Sequence, residues 1–128
     1  SENAGGKLRV FHDTYEASSL ASGSDITIAR IPINATIHDV IIKADALAGS
    51  STMTVGDSGD VDRYLTAVGT WNVAGQSQSM LAGSSTGAPT PPVTGLGYRT
   101  TAETDILITT GGATISGTIY SWVIYSVE

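Results

Sequence analysis

Three carboxylates crowd one short stretch of the chain, Asp57, Asp60 and Asp62. Hard cations such as Ca²⁺ take several oxygen ligands, so this stretch is the first place to look for a metal. The calcium-loop spacing D-x-[DN]-x-[DN]-G with a distal Glu is not met, because Gly59 comes third and no Glu follows at the required offset. The three acids therefore read as a turn, with an Asp carboxylate capping the backbone that follows. Arg63 beside them reads as a local ion-pair partner. No metal and no cofactor are expected.

The two histidines, His12 and His38, are each followed by an aspartate, Asp13 and Asp39. A catalytic imidazole needs a nucleophile or carboxylate placed against it in space. On a strand, neighbouring side chains point to opposite faces, so neither His-Asp pair is expected to cooperate. The chain has no cysteine, which excludes disulfides, thiolate metal sites and cysteine nucleophiles. No G-x-S-x-G elbow, H-E-x-x-H helix or phosphate-binding glycine loop occurs, and Gly95-Leu96-Gly97 is too short to count as one. No catalytic residue is assigned, and the chain does not read as an enzyme.

The elements that would position any site must come from a chain of 128 residues, enough for one domain with a real core. Hydrophobic residues make up 41% and charged residues 14%, with a mean hydropathy of +0.11, which argues against a disordered chain and a coiled coil. The net charge is -6, and the six basic residues are scattered, so nucleic acid is not an expected partner. No segment approaches the roughly 18 apolar residues of a membrane span, so no membrane is expected either. The first residues, Ser1 to Gly6, carry no apolar stretch of the kind a secretion signal has.

Glycine, serine and threonine are abundant and strong helix formers are not grouped, which suits strands and turns. Period-two alternation marks strands over 7–15, 25–31, 36–44, 51–56, 104–110 and 113–127. In the first, Leu8 and Val10 lie on one side and Phe11, Asp13 and Tyr15 on the other. Residues 16–24 read as a loop, and Pro32 and Asn34 as a turn. Arg63 to Ala67 reads as one helical turn, 68–74 and 95–100 as short strands, and 75–95 as a long loop or edge excursion, because Pro89, Pro91 and Pro92 cannot sit in a central strand. Gly111-Gly112 reads as a hairpin turn. Residues 25–37 (DITIARIPINATI) echo residues 105–115 (DILITTGGATI), which reads as two similar hairpins. Without βαβ alternation, the expected fold is all-β, an antiparallel sandwich of the jelly-roll-like kind, with a flexible N-terminal arm over 1–6 and a single domain over 7–128.

The last strand is the most informative. Ile115, Ile119, Val123, Tyr125 and Val127 share one face, and Tyr120, Trp122 and Ile124 share the other. One face must meet the core, and the other is too apolar to stand bare. Three readings stay open: contact with another chain, coverage by the 75–95 segment, or a platform on which a sugar stacks. Trp71 has two readings, a contact anchor or a packing tryptophan. Few charges guard the sheet edges, which favours life in an assembly. Tyr120, Trp122, Ile124 and Trp71 are the candidate interface residues.

The stretch from Ile26 to Ile37, the run Val55-Gly56-Asp57 to Asp62-Arg63-Tyr64-Leu65, and Gly95-Leu96-Gly97-Tyr98 together resemble small β-rich virion proteins of tailed bacteriophages, including capsid decoration (cement) proteins. The pattern covers roughly residues 7–125. The resemblance implies a structural role in the virion, binding across capsomers as a homo-oligomer, dimer or trimer, with the major capsid protein or another virion protein as partner. The alternative is a carbohydrate-binding or receptor-binding sandwich of a phage tail or fibre.

Overall fold

The computed structural model describes residues 7–67, 70–81, 83–84 and 97–127. The elements are β1 (Leu8–Leu20), β2 (Asp25–Ile31), β3 (Ala35–Ala44), β4 (Thr52–Asp57), β5 (Asp60–Leu65), β6 (Gln76–Ser79), β7 (Gly83–Ser84), β8 (Thr104–Gly111) and β9 (Ile115–Val127). Among the described residues there is no helix. One sheet has the order β1-β9-β3-β6-β7 and the other β2-β8-β4-β5, and every pairing is antiparallel. The chain crosses repeatedly from one layer to the other, with β4–β5 and β6–β7 each staying within a sheet, so the fold is an all-β antiparallel sandwich.

The core is made by the alternating residues of both sheets. Ile37, Val40, Ile42, Ile119 and Val123 from one layer and Ile31, Val55, Ile106 and Ile108 from the other are all at most 1% exposed. This inward set is what period two dictates once one face of each sheet must be buried. A bulge between Thr27 and Ala29 turns both Ile28 and Ala29 inward, where strict alternation would have turned only one.

Several expectations need correcting. β1 runs through to Leu20, so residues 16–20 are strand and not loop. Asp60 to Leu65 is a strand returning along β4, not a helical turn. Residues 70–74 form no strand, and of 95–100 the described part joins the sheet only through the isolated bridge between Thr36 and Arg99. The Gly111-Gly112 turn is not a hairpin. β8 and β9 lie in different sheets, so the turn is a corner that carries the chain from one layer to the other. The same holds for Pro32-Ile33-Asn34 between β2 and β3. The segment expected as an edge excursion does form an edge where it is described, with β6 pairing β3 and β7 pairing β6. The prolines at 89, 91 and 92 and the arm over 1–6 lie outside the described residues.

Candidate functional site

The acidic stretch is a structural device. Asp57 is buried, and its carboxylate accepts hydrogen bonds from the Gly59 and Asp60 amides at 3.0 and 3.1 Å. The Arg63 Nε donates to it at 2.9 Å, and the Tyr64 hydroxyl at 3.2 Å. One side chain thus closes the β4–β5 turn, pairs a guanidinium and holds a buried phenol. Arg63 also lies over the Tyr98 ring, 4.1 Å from its centroid. Burial, and then the charge of Asp57, push the Tyr64 hydroxyl far above the usual tyrosine range. A hydrogen bond to the Asp60 carboxyl, followed by burial, raises Asp62 above the usual carboxylate range.

The histidines do not form catalytic pairs. His12 lies on the outer face of its sheet, stacked on Trp122 with ring centroids 4.8 Å apart, and its Nδ1–H donates to the Ser121 carbonyl at 3.0 Å. Asp13 is on the other face, opposite Ser121. His38 and Asp39 were expected on opposite faces, but a bulge between Ile37 and Asp39 sets both outward. Their bonds still go elsewhere. His38 bonds the Ser126 hydroxyl at 2.8 Å, while Asp39 accepts from the Val40 and Leu81 amides at 2.8 and 3.2 Å.

Trp71 is no surface anchor. It is 1% exposed, its amide donates to the Ser51 carbonyl at 3.2 Å, and its carbonyl accepts from the Leu47 amide at 2.6 Å. It belongs to the buried core, with its backbone tied to the β3–β4 connection, which fits the packing reading of the two.

What stands out is the outer face of the five-stranded sheet. β9 has the expected phase: Ile115, Ile119, Val123 and Tyr125 are buried inward, and Tyr120, Trp122 and Ile124 point outward, half-buried. Register then brings other strands to them. Val10 sits opposite Ile124, His12 opposite Trp122 and Thr14 opposite Tyr120 on one side, and Ile41 opposite Trp122 and Lys43 opposite Tyr120 on the other. Tyr120 stacks on Trp122 at 6.4 Å, so His12, Trp122 and Tyr120 form a row of near-parallel rings. Leu8 and Val10 continue the apolar surface at 69% and 56% exposure. Beside the rings lies an open hollow of about 510 Å³, lined by His12, Lys43, Asp45, Tyr120 and Trp122 among others. The described part of the 75–95 segment, β6, extends this sheet sideways past β3 rather than lying over it.

The sequence carried signals for parts of this face but not for its assembly. Leu8 and Val10 were legible as one side of a strand and Tyr120, Trp122 and Ile124 as another. That the two sides are one surface depends on pairing between strands more than 100 residues apart.

No family model matches the chain, and no curated protein sequence matches it. Among solved structures, it is similar to a chain of the cyanophage Pam1 capsid asymmetric unit, with a TM-score of 0.72 and 20% identity over 100% of this chain and 90% of that one. It is also similar to a chain of the capsid of Ralstonia phage GP4, with a TM-score of 0.61 and 20% identity over 96% of this chain and 84% of that one. A chain of the acid-stable capsid of Helicobacter pylori bacteriophage KHP30 gives 0.58 and 12% over 94% and 87%. The chain therefore shares the fold of chains found in three phage capsid structures, over 94–100% of its length by alignment.

Proposed function

We propose that this chain is a structural protein of a bacteriophage virion, a decoration protein that stabilises the head by binding across capsomers. The observation that carries the reading is the two-way coverage. The likeness takes in 94–100% of this chain and 84–90% of each of the three chains from phage capsid structures. The outer face of β1, β9 and β3 supports it, since a contiguous apolar stripe marks a contact surface. Rings held rigid by stacking give contact area at little entropic cost, which suits a site that must bind without turnover. Repetition over a shell would multiply a modest contact at each site.

The test is cosedimentation of the purified chain with phage heads that lack it. Binding is expected, with loss of at least about tenfold in affinity for Trp122→Ala or Tyr120→Ala, as for a central aromatic contact. Heads that ignore the chain at high concentration would sink the reading. The hollow beside Tyr120 and Trp122, with Lys43 and Asp45 at its rim, favours the glycan-binding alternative. Glycan-array binding lost in Trp122→Ala, without capsid binding, would select it.

A further inference from the structure

We propose that two copies of this chain pair through their β1 edges, antiparallel about a two-fold axis at Phe11, fusing two five-stranded sheets into one. The pairing stands on the edge itself and needs no capsid, so it can hold whether or not the virion reading does.

Among the described residues, β1 ends its sheet. From Leu8 to Ala17 it follows β9 without a break in register, and the irregularity comes only between Ala17 and Leu20. Its first half is open on both faces, with Leu8 and Val10 exposed outward and Phe11 at 36% on the inner side. A long, straight, apolar edge recruits another strand unless proline, a bulge or repelling charges block it. β1 contains no proline, and its bulge lies beyond the segment concerned.

The charges decide which strand fits. Arg9 and Asp13 are of opposite sign, lie two residues either side of Phe11, and share its face. Among the described residues, no ion pair within the chain engages either one. An antiparallel copy centred on Phe11 sets each Arg9 opposite the partner's Asp13. The two Phe11 rings meet at the axis, Val10 faces the partner's His12, and Leu8 faces the partner's Thr14. Two-fold symmetry keeps every side chain on its own face, so the register must centre on a residue. Centring on His12 would set Arg9 against Tyr15 and Phe11 against Asp13. Centring on Val10 would set Arg9 against Phe11. Only the Phe11 centre pairs Arg9 with Asp13 and ring with ring. It also joins the two outer apolar stripes, because Val10 of one copy borders the His12–Trp122 stack of the other.

The test uses the full chain. Sedimentation is expected to give a dimer. Arg9→Asp or Asp13→Arg alone sets two like-charged pairs beside the axis and is expected to weaken the dimer by about tenfold or more. The double variant R9D/D13R restores opposite charges and is expected to bind within about threefold of the parent. The chain has no cysteine of its own, so a single introduced thiol can only cross-link two copies. Directly opposite residues lie within disulfide reach, and diagonal ones do not. Phe11→Cys is expected to form a covalent dimer under mild oxidation, and Val10→Cys and His12→Cys are not. A monomer at all concentrations, a trimer, single charge variants that dimerise like the parent, or cross-linking at position 10 or 12 instead of 11 would overturn the proposal. Circular dichroism of each variant separates lost pairing from lost fold.

Discussion

Asn34 and Gly112 occupy the same place at two corners of the sandwich. Each is the residue before an Ala-Thr-Ile that leads into a strand, β3 beginning at its Ala and β9 at its Ile, and each has a left-handed backbone, with φ of 65° and 80°. The strands they connect are also matched, since β2 lies beside β8 and β3 beside β9. The sequence echo between 25–37 and 105–115 is therefore a repeated corner. Both copies need a residue that tolerates positive φ, which asparagine does and glycine does freely.

The two corners should nevertheless answer substitution differently. A Cβ on Gly112 would run into the Ser50 carbonyl, a backbone group that cannot swing away. Gly112→Ala is expected to cost about 2–4 kcal/mol, from strain and clash together. Asn34→Gly should change stability by less than about 1 kcal/mol. Urea unfolding followed by tryptophan fluorescence measures both.

The first corner also depends on Thr100, which is 1% exposed. Its hydroxyl accepts from the Ala35 amide at 3.0 Å and donates to the Pro32 carbonyl at 2.7 Å. Thr100→Val keeps the shape and strands both backbone groups. A loss of about 1–3 kcal/mol is expected in the same unfolding assay, and a neutral result would contradict this account of the corner.

Asp57 should be the costliest acid to remove. Asp57→Ala leaves the Arg63 guanidinium and the buried Tyr64 hydroxyl without their shared partner. About 3–5 kcal/mol of destabilisation is expected by thermal or denaturant unfolding, whereas breaking the exposed Arg30–Glu103 pair should leave the unfolding midpoint essentially where it was.

Alkaline pH tests the same cluster. Tyr64 keeps its proton in the folded chain, whereas in the unfolded chain a tyrosine loses it near pH 10. Above that pH the folded state holds more protons than the unfolded, so the contribution of Tyr64 to stability falls as pH rises. Tyr64→Phe should lessen the decline between pH 10 and 12 in a series of unfolding midpoints.

Adjacent residues of β9 should separate core from contact surface. Val123→Ala, on the inward face at 0% exposure, is expected to cost about 2 kcal/mol. Ile124→Ala, one residue along and facing outward, should cost less than about 1 kcal/mol while weakening binding to heads. Equal losses of stability would mean that the outer face is covered by the chain itself.

Local pattern in the amino-acid sequence was enough to place most of the long strands and, between bulges, their two faces. Alternation with period two is a local property, so Val40 with Ile42, and Tyr120 with Trp122 and Ile124, could be placed on their sides without a partner strand. The turn residues Asn34 and Gly112 were legible for the same reason, because a positive φ is a demand on one residue. Which strands share a sheet was settled by packing between distant parts of the chain. The same packing made corners of two apparent hairpins, buried Trp71, turned His38 and Asp39 to one face through a bulge, and set His12 against Trp122. Pairing and bulges depend on the register between distant strands, and that register is fixed by how both layers bury their inner faces at once. No window of sequence contains that condition.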